Sequence, residues 1–338
     1  MKRAKHILAA VRQKMNYTNN DIGSLLGWNK SFFEEARGAR IILYHGICMN
    51  DHTRFNNIFL TVDTFREHIR FYKKHFNIIS LDDYYEQRFR KDRFNVCLSF
   101  DDGYANNYKY VLPLLEEMEV PASFFITAIR DAGYDILWND FIGIIGKYGP
   151  EELVFENEIF RKKRFSRYVS VKNNTDLKEI LQSGGFNIKA AMMESLYTLV
   201  PFKENKSEQD YWLQMTEKEI RDLSASKWVT VGCHGYYHND LSKIDIHDAE
   251  LEMIRSKKYL EKITGKEIKA MAFPYGAYTP AVVKSAKQAG FSQLLATDFF
   301  FDEDYSDPAM RERFTVNPFI SVNNQMIANI KGNYASRY

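Results

Sequence analysis

Short apolar runs that end abruptly at a polar residue beside glycine or proline recur along this chain, with helix-period stretches between them. Arg40-Ile41-Ile42-Leu43-Tyr44 stops at His45-Gly46, and Val96-Cys97-Leu98-Ser99-Phe100 stops at Asp101-Asp102-Gly103. Trp228-Val229-Thr230-Val231-Gly232-Cys233 stops at His234, and the run from Ile268 to Phe273 stops at Pro274-Tyr275-Gly276. Residues 77–81, 121–127 and 291–297 complete a set of seven expected strands, and Phe319-Ile320-Ser321-Val322 is a late extended piece. Between them, Phe65, Ile69, Tyr72 and Phe76 keep one face of a helix that Thr61 or Asp63 can cap. Asp245 opens a second such helix that Gly265 closes, and Thr279-Pro280 opens a third that ends at Gly290. Repeated strand–helix units join through right-handed parallel crossovers, and barrels built from them carry their chemistry at the carboxyl ends of the strands. The polar stops fall at those ends.

Composition narrows the field. A net charge of +2 over 338 residues, with no basic run interleaved with aromatics, gives no sign of a nucleic-acid partner. No stretch approaches the roughly 18 apolar residues that span a bilayer. The apolar run Ile7 to Val11 is too short for a secretory signal, so a cytoplasmic enzyme is the default expectation, with peripheral membrane association as the alternative. Cys48, Cys97 and Cys233 are too widely spaced for a disulfide framework or a zinc finger. The abundance of aromatics, 25 Phe and 21 Tyr, is compatible with a sugar-stacking cleft as well as with a core.

Asp101 and Asp102 cannot both point the same way while the chain stays extended. At a buried strand end they repel unless a cation or hydrogen bonds hold them apart. Taken alone, the pair reads equally as a helix cap or as a site. His234-Gly235-Tyr236-Tyr237-His238 places two imidazoles four residues apart, a spacing that can aim both at one ion. One Asp with two His forms a facial metal site with open positions for water and substrate, suited to hydrolysis. Phe273-Pro274-Tyr275-Gly276 is a rigid turn whose backbone N–H can face a developing oxyanion, or simply a tight strand–helix turn.

These stretches resemble the polysaccharide deacetylases with the NodB-homology fold, carbohydrate esterase family 4. Ser99-Phe100-Asp101-Asp102-Gly103-Tyr104 is similar to the family's Asp-Asp motif, His234 to Leu241 to its two-histidine motif, and Ala272-Phe273-Pro274-Tyr275-Gly276 to its third. The resemblance implies a distorted (β/α)7 barrel with a helical insertion. It makes Asp101 the general base, and Asp102, His234 and His238 the ligands of one divalent ion, zinc first, with nickel or cobalt as alternatives. The Tyr275 N–H then polarises the scissile amide, and Pro274, Tyr104 and Tyr237 are the candidates for contact with substrate. Leu43-Tyr44-His45 resembles the arrangement in the permuted branch acting on poly-N-acetylglucosamine and surface glycans, which makes His45 the general acid. The alternative for His45 is a satisfied core or strand-end histidine.

Three features depart from the family pattern. Gly235 stands where a Ser or Thr is usual. The arginine that orients the base ahead of the Pro-Tyr motif is absent, Ala272 and Phe273 standing nearby, and Arg313 is a candidate substitute that no spacing supports. A long segment separates Asp102 from His234. The expected organisation is a helical lead-in over 1–38, a barrel over 39–325 interrupted by an insertion or lid over 133–226, and a tail over 326–338. The expected function is metal-dependent removal of N-acetyl groups from a sugar, glycan or glycan precursor. Its rivals are hydrolysis of a non-sugar N-acyl amide or cyclic imide, and a catalytically silent carbohydrate-binding relative. Oligomeric state is not legible.

Overall fold

The structure is a computed structural model that describes residues 2–54 and 56–334. Seven parallel strands close into a ring. Gly38–Tyr44 pairs with Phe94–Phe100 on one side and Met310–Thr315 on the other. The circuit runs on through Gln293–Ala296, Ala270–Ala272, Val229–Cys233 and Ala122–Ile126, and returns to Phe94–Phe100. This is the barrel the motifs imply.

Strand residues alternate between two packing layers, as a two-residue period demands. Ile41, Cys97, Phe125, Ala270, Ala272 and Leu295 meet inside the ring. Their neighbours Ile42, Tyr44, Val96, Leu98, Phe124 and Ile126 pack under the surrounding helices. Phe125 takes the space that smaller residues leave. A Cβ on Gly232 would lie 2.5 Å from its ring, so this strand needs a glycine. The short helix Leu81–Tyr85 plugs the amino end of the ring, where the Tyr85 hydroxyl donates to the carbonyls of Leu294 (3.1 Å) and Ala309 (3.0 Å).

Two expected strands change roles. Asn77–Ile79 pairs only with the lower half of Phe94–Phe100, from Asn95 to Cys97, while Ala122–Ile126 takes the upper half of the same edge. It is a wedge below the ring. The seventh stave is instead Met310–Thr315, whose Met-Arg-Glu-Arg-Phe-Thr sequence lacks the apolar run that marks the other strands. Residues 319–321 form no strand. Ser321 caps the helix Val322–Lys331, which crosses the expected barrel–tail boundary and buries Met326 and Ile327 in the main core.

The insertion is not purely helical. Helix Trp138–Tyr148 leads into an antiparallel sheet of Glu152–Phe155, Glu158–Lys163 and Arg167–Ser170, followed by helices Leu177–Ser183 and Phe186–Leu196. Charged residues on the exposed face of Glu158–Lys163 hide its strand period, and Phe160 is its one fully buried side chain. Trp138, Phe141, Ile145, Phe160, Leu181 and Trp212 give the insertion a core of its own. At the other end of the chain, helix Lys2–Leu25 meets helix Val322–Lys331. Asn324 Nδ2 donates to the Tyr17 carbonyl (3.1 Å) and to Asp21 Oδ1 (2.9 Å). Among the described residues no helix is long and apolar enough to cross a membrane.

Strand Gly38–Tyr44, helix Val62–His75 and helix Val322–Lys331 share a buried polar network. The Tyr44 hydroxyl lies 3.0 Å from His68 Nδ1 and 2.8 Å from the Tyr72 hydroxyl, to which Asn329 Nδ2 donates at 2.9 Å. Burial lowers the His68 pKa to about 3. The unfolded chain therefore takes up this proton first, and His68 contributes full stability above pH 6.5 that is lost progressively toward pH 3. At about 1.4 kcal/mol per pH unit, the loss between pH 6.5 and 5 is on the order of 2 kcal/mol. Urea unfolding across that range should show this slope in the wild type and not in His68→Gln; equal slopes would remove His68 as its source.

Candidate active site

The strand Phe94–Phe100 delivers Asp101 in register, so the side chain continues the inward series of Cys97 and Ser99. The Asp101 N–H donates to the Tyr44 carbonyl at 3.1 Å, the last tie of the ladder. At Asp102 the backbone turns left-handed, with φ of 75° followed by 84° at Gly103. This turn lets two adjacent acids serve one site. Thr127 Oγ1 holds the Asp102 carbonyl at 3.1 Å. The histidine loop is also left-handed, at Gly235 (φ 77°) and His238 (φ 57°). A Cβ on Gly235 would meet Pro274 Cγ at 3.3 Å, which accounts for glycine where the family pattern carries a hydroxyl residue. Tyr275, at φ 60°, completes the set. Left-handed non-glycine residues thus occur in all three motif loops, as at sites where packing over-determines geometry.

Asp102 Oδ1 lies 3.3 Å from His234 Nε2 and 3.1 Å from His238 Nε2. One ligand atom from each of the three buried residues lies within 4.8 Å of the others. His234 Nδ1 is 2.8 Å from the Ala272 carbonyl; a carbonyl only accepts, so this nitrogen carries the proton. In the neutral ring Nε2 then turns its lone pair toward a carboxylate, an arrangement that a shared cation, or a second proton on the ring, reconciles. The charge balance agrees. Asp101 and Asp102 bring two negative charges into a buried site and Arg313 supplies one positive charge. Burial and Asp102 act on His234 in opposite senses; the two carboxylates outweigh burial and raise its pKa, whereas burial prevails at His238 and lowers it. Burial also opposes ionisation of Asp102, but the two histidines outweigh it and hold the carboxyl well below its usual range. The residues fit a divalent ion.

Arg313 is the orienting residue. Its Nη1 and Nη2 donate to Asp101 Oδ1 and Oδ2 at 2.6 and 2.7 Å, a bidentate fork from the seventh stave. The guanidinium is fully buried, with Phe125 beneath it at 5.4 Å. Burial works against the Asp101 carboxylate, yet Arg313 and His234 together hold it below the ordinary range, so it stays ionised and able to accept a proton.

The remaining expected residues divide. His45 lies half-buried at the end of Gly38–Tyr44, its Nδ1 without a hydrogen-bond partner among the described residues. Burial outweighs the attraction of Asp102 and Asp101 and lowers its pKa. The ring of Tyr275 packs edge-on to His238, with centroids 4.7 Å apart. The turn's own hydrogen bonds join Gly276 to Phe273 (2.9 Å) and Ala277 to Pro274 (3.1 Å), so neither uses the Tyr275 N–H. Pro274 is buried against Gly235. Tyr104 points to the insertion. It is fully buried and donates its hydroxyl to Asp140 (3.0 and 3.1 Å). Tyr237 stacks on Phe186 of the insertion at 4.1 Å.

Sequence reasoning missed the insertion's own share. The Trp138 indole N–H donates to the His238 carbonyl at 3.1 Å. Lys189, fully buried with Nζ 4.9 Å above the Trp138 ring, donates to Asn239 Oδ1, and Asn239 Nδ2 donates to Glu252 at 2.6 Å. Burial lowers the Lys189 pKa to about 8. Asn239, directly after His238, was the available signal; nothing in the sequence around Lys189 marks it.

The sequence matches the family model described as polysaccharide deacetylase over residues 90–190 and 201–294. The chain belongs to the polysaccharide deacetylase family. No curated protein matches it. Among solved structures it is similar to the Streptococcus pyogenes deacetylase PplD in complex with acetate, at 15% identity and a TM-score of 0.54, covering 87% of this chain and 99% of that one. IcaB from Ammonifex degensii is alike at 15% identity and a TM-score of 0.54, with 88% and 98% covered. A de-N-acetylase from Aggregatibacter actinomycetemcomitans gives 15% and 0.52, with 84% and 96% covered. At such identities the likeness is one of fold. The seven-stranded barrel is that of the family.

Removing Arg313 leaves Asp101 buried and unpaired. Arg313→Ala should destabilise the protein by about 3–5 kcal/mol. Adding Asp101→Asn should recover much of that loss in a double-mutant cycle of urea-unfolding energies. Additive losses would show that the fork couples the two residues weakly.

Proposed function

We propose that this deacetylase-family protein hydrolyses the acetamide of an N-acetylated sugar within a glycan or glycan precursor. The observation that carries the reading is the convergence of Asp102, His234 and His238 beside a second carboxylate, Asp101, locked by Arg313. The solved deacetylases of the same fold support it. Asp102, His234 and His238 would hold a divalent ion, zinc first. Such an ion supplies Lewis-acid polarisation of the amide carbonyl and acidifies water.

The chain's own groups do the rest. Asp101, kept ionised by the Arg313 fork, accepts a proton from the attacking water. The Tyr275 N–H donates to the carbonyl oxygen as charge gathers on it. His45 gives a proton to the departing nitrogen, so that an amine leaves rather than an amide anion. Buried Trp138 caps the histidine loop through its bond to the His238 carbonyl.

Acetate release across chitooligosaccharides, nucleotide-linked N-acetyl sugars and simple N-acyl amides tests the reading. Release from the sugars alone is expected. Release from simple amides alone would make the protein an amidase, and none from any would make it a binding protein. Metal analysis of protein purified without chelator should find about one divalent ion per chain, lost in Asp102→Ala and His234→Ala; full metal in those variants would contradict the ligand assignment. As an acid His45 must be protonated, and its pKa is lowered, so kcat/KM should fall as pH rises through a value below 6.5. His45→Ala should cut kcat by roughly 10²–10⁴ and abolish that limb; an unchanged profile would assign the proton to another group.

A further inference from the structure

Beside the site, a cleft of about 730 Å³ opens between the segment around Arg54 and Asn56 and the insertion. Its size is that of a small-molecule site. One wall is the helix Trp138–Tyr148, which reaches the catalytic loops at two points. Trp138 caps His238, and Asp140 accepts from Tyr104, two residues beyond Asp102. Cleft and catalytic loops therefore share a rigid wall.

The lining has a definite chemistry. Arg54, Lys147, Arg167 and Lys178 face it together with Asp140 and Asp176; Arg54 is paired with Glu208, so the uncompensated positive charge at the lining is that of Lys147 and Lys178. Asp176 is engaged by Arg167 (2.5 Å) and Asp140 by Tyr104 and Asn56, whereas Lys147 and Lys178 form no ion pair among the described residues. Asn139 Oδ1 is buried at the lining without a hydrogen-bond partner there. On the rim, Phe165 is 78% exposed. Its backbone is left-handed (φ 63°), as is that of Ser166 (φ 59°), a costly conformation for a bulky residue. The turn is pressed onto the helix where a Cβ at Gly146 would lie 2.5 Å from the Ser166 carbonyl oxygen. An aromatic ring held in the open above cations and amides suits a pyranose, whose C–H face packs on the ring, carrying a negative group.

We propose that this cleft binds the non-reacting part of an anionic saccharide, with Phe165 against a sugar face and Lys147 and Lys178 at its phosphate or carboxylate. The assignment rests on the deacetylase reading for the identity of the reacting group, not for the binding itself. The negative group holds the substrate across the insertion while its acetamide lies among the barrel loops.

Binding is measured apart from turnover. Full-length protein carrying Asp101→Asn is titrated calorimetrically with UDP-N-acetylglucosamine, a hyaluronan tetrasaccharide and neutral chitotetraose. At least one anion should bind tenfold or more tightly than chitotetraose, and which one does so separates diphosphate from carboxylate. Adding Lys147→Ala and Lys178→Ala, both at exposed positions, should remove that advantage, as should raised salt. Phe165→Ala should weaken the sugar-bearing anion at least threefold and leave inorganic pyrophosphate unchanged. Equal binding of chitotetraose, no binding of either anion, or affinity indifferent to the two lysines would overturn the proposal. Failure of the deacetylase reading shows separately, as absence of acetate release by the wild type from every sugar.

Discussion

One ion pair ties the ends of the barrel to its chemistry. Arg313 stands on the last stave and Asp101 ends the stave of Phe94–Phe100, and both flank Gly38–Tyr44, the strand that closes the ring. The fork at 2.6 and 2.7 Å crosses that closing strand, so barrel closure and the position of the Asp101 carboxylate are one fact. Inside a ring floored by Phe125 and small residues, two buried carboxylates are tenable only with compensating charge. Arg313 supplies one unit. The remaining negative charge falls on Asp102, between two imidazole nitrogens, where a cation is wanted.

The same constraint explains the local backbone. Adjacent residues of a strand point to opposite faces, so Asp101 can follow the inward series only if the chain turns at once for Asp102 to join the histidines. It does so through φ of 75°. His238 and Tyr275 adopt comparable turns, and the insertion braces them. Trp138 caps the His238 carbonyl, Lys189 and Glu252 fix Asn239, and Tyr104 links the acidic loop to Asp140. The segment that shapes the outer cleft thus also steadies the acidic and histidine loops.

Much of this was legible in the sequence because parallel strands buried on both faces are written as uninterrupted apolar runs. The motif residues end such runs, and Asp101, Asp102, His234 and His238 come together as their positions implied. Where the period failed, the cause was polar content inside the barrel. Met310–Thr315 turns Arg313 inward, so it reads as a loop, and the wedge Asn77–Ile79 reads as a stave because it is apolar. Arg313 could be named as a candidate but not placed, since its partner lies far away in sequence. Tyr104 was singled out because its motif lies beside Asp102; that its hydroxyl bonds Asp140 of the insertion is something no spacing announces. The insertion's sheet was hidden by charge on its exposed face.

The central claim is that Asp101 acts on water while its neighbour Asp102 serves the ion. Asp101→Asn, compared with the wild type at matched metal content on the sugar that releases acetate, separates the two roles. The amide keeps the size of the side chain and cannot accept the proton. The account predicts full metal occupancy with acetate release reduced by roughly 10²–10⁴. Release near the wild-type rate, at full occupancy, would contradict it.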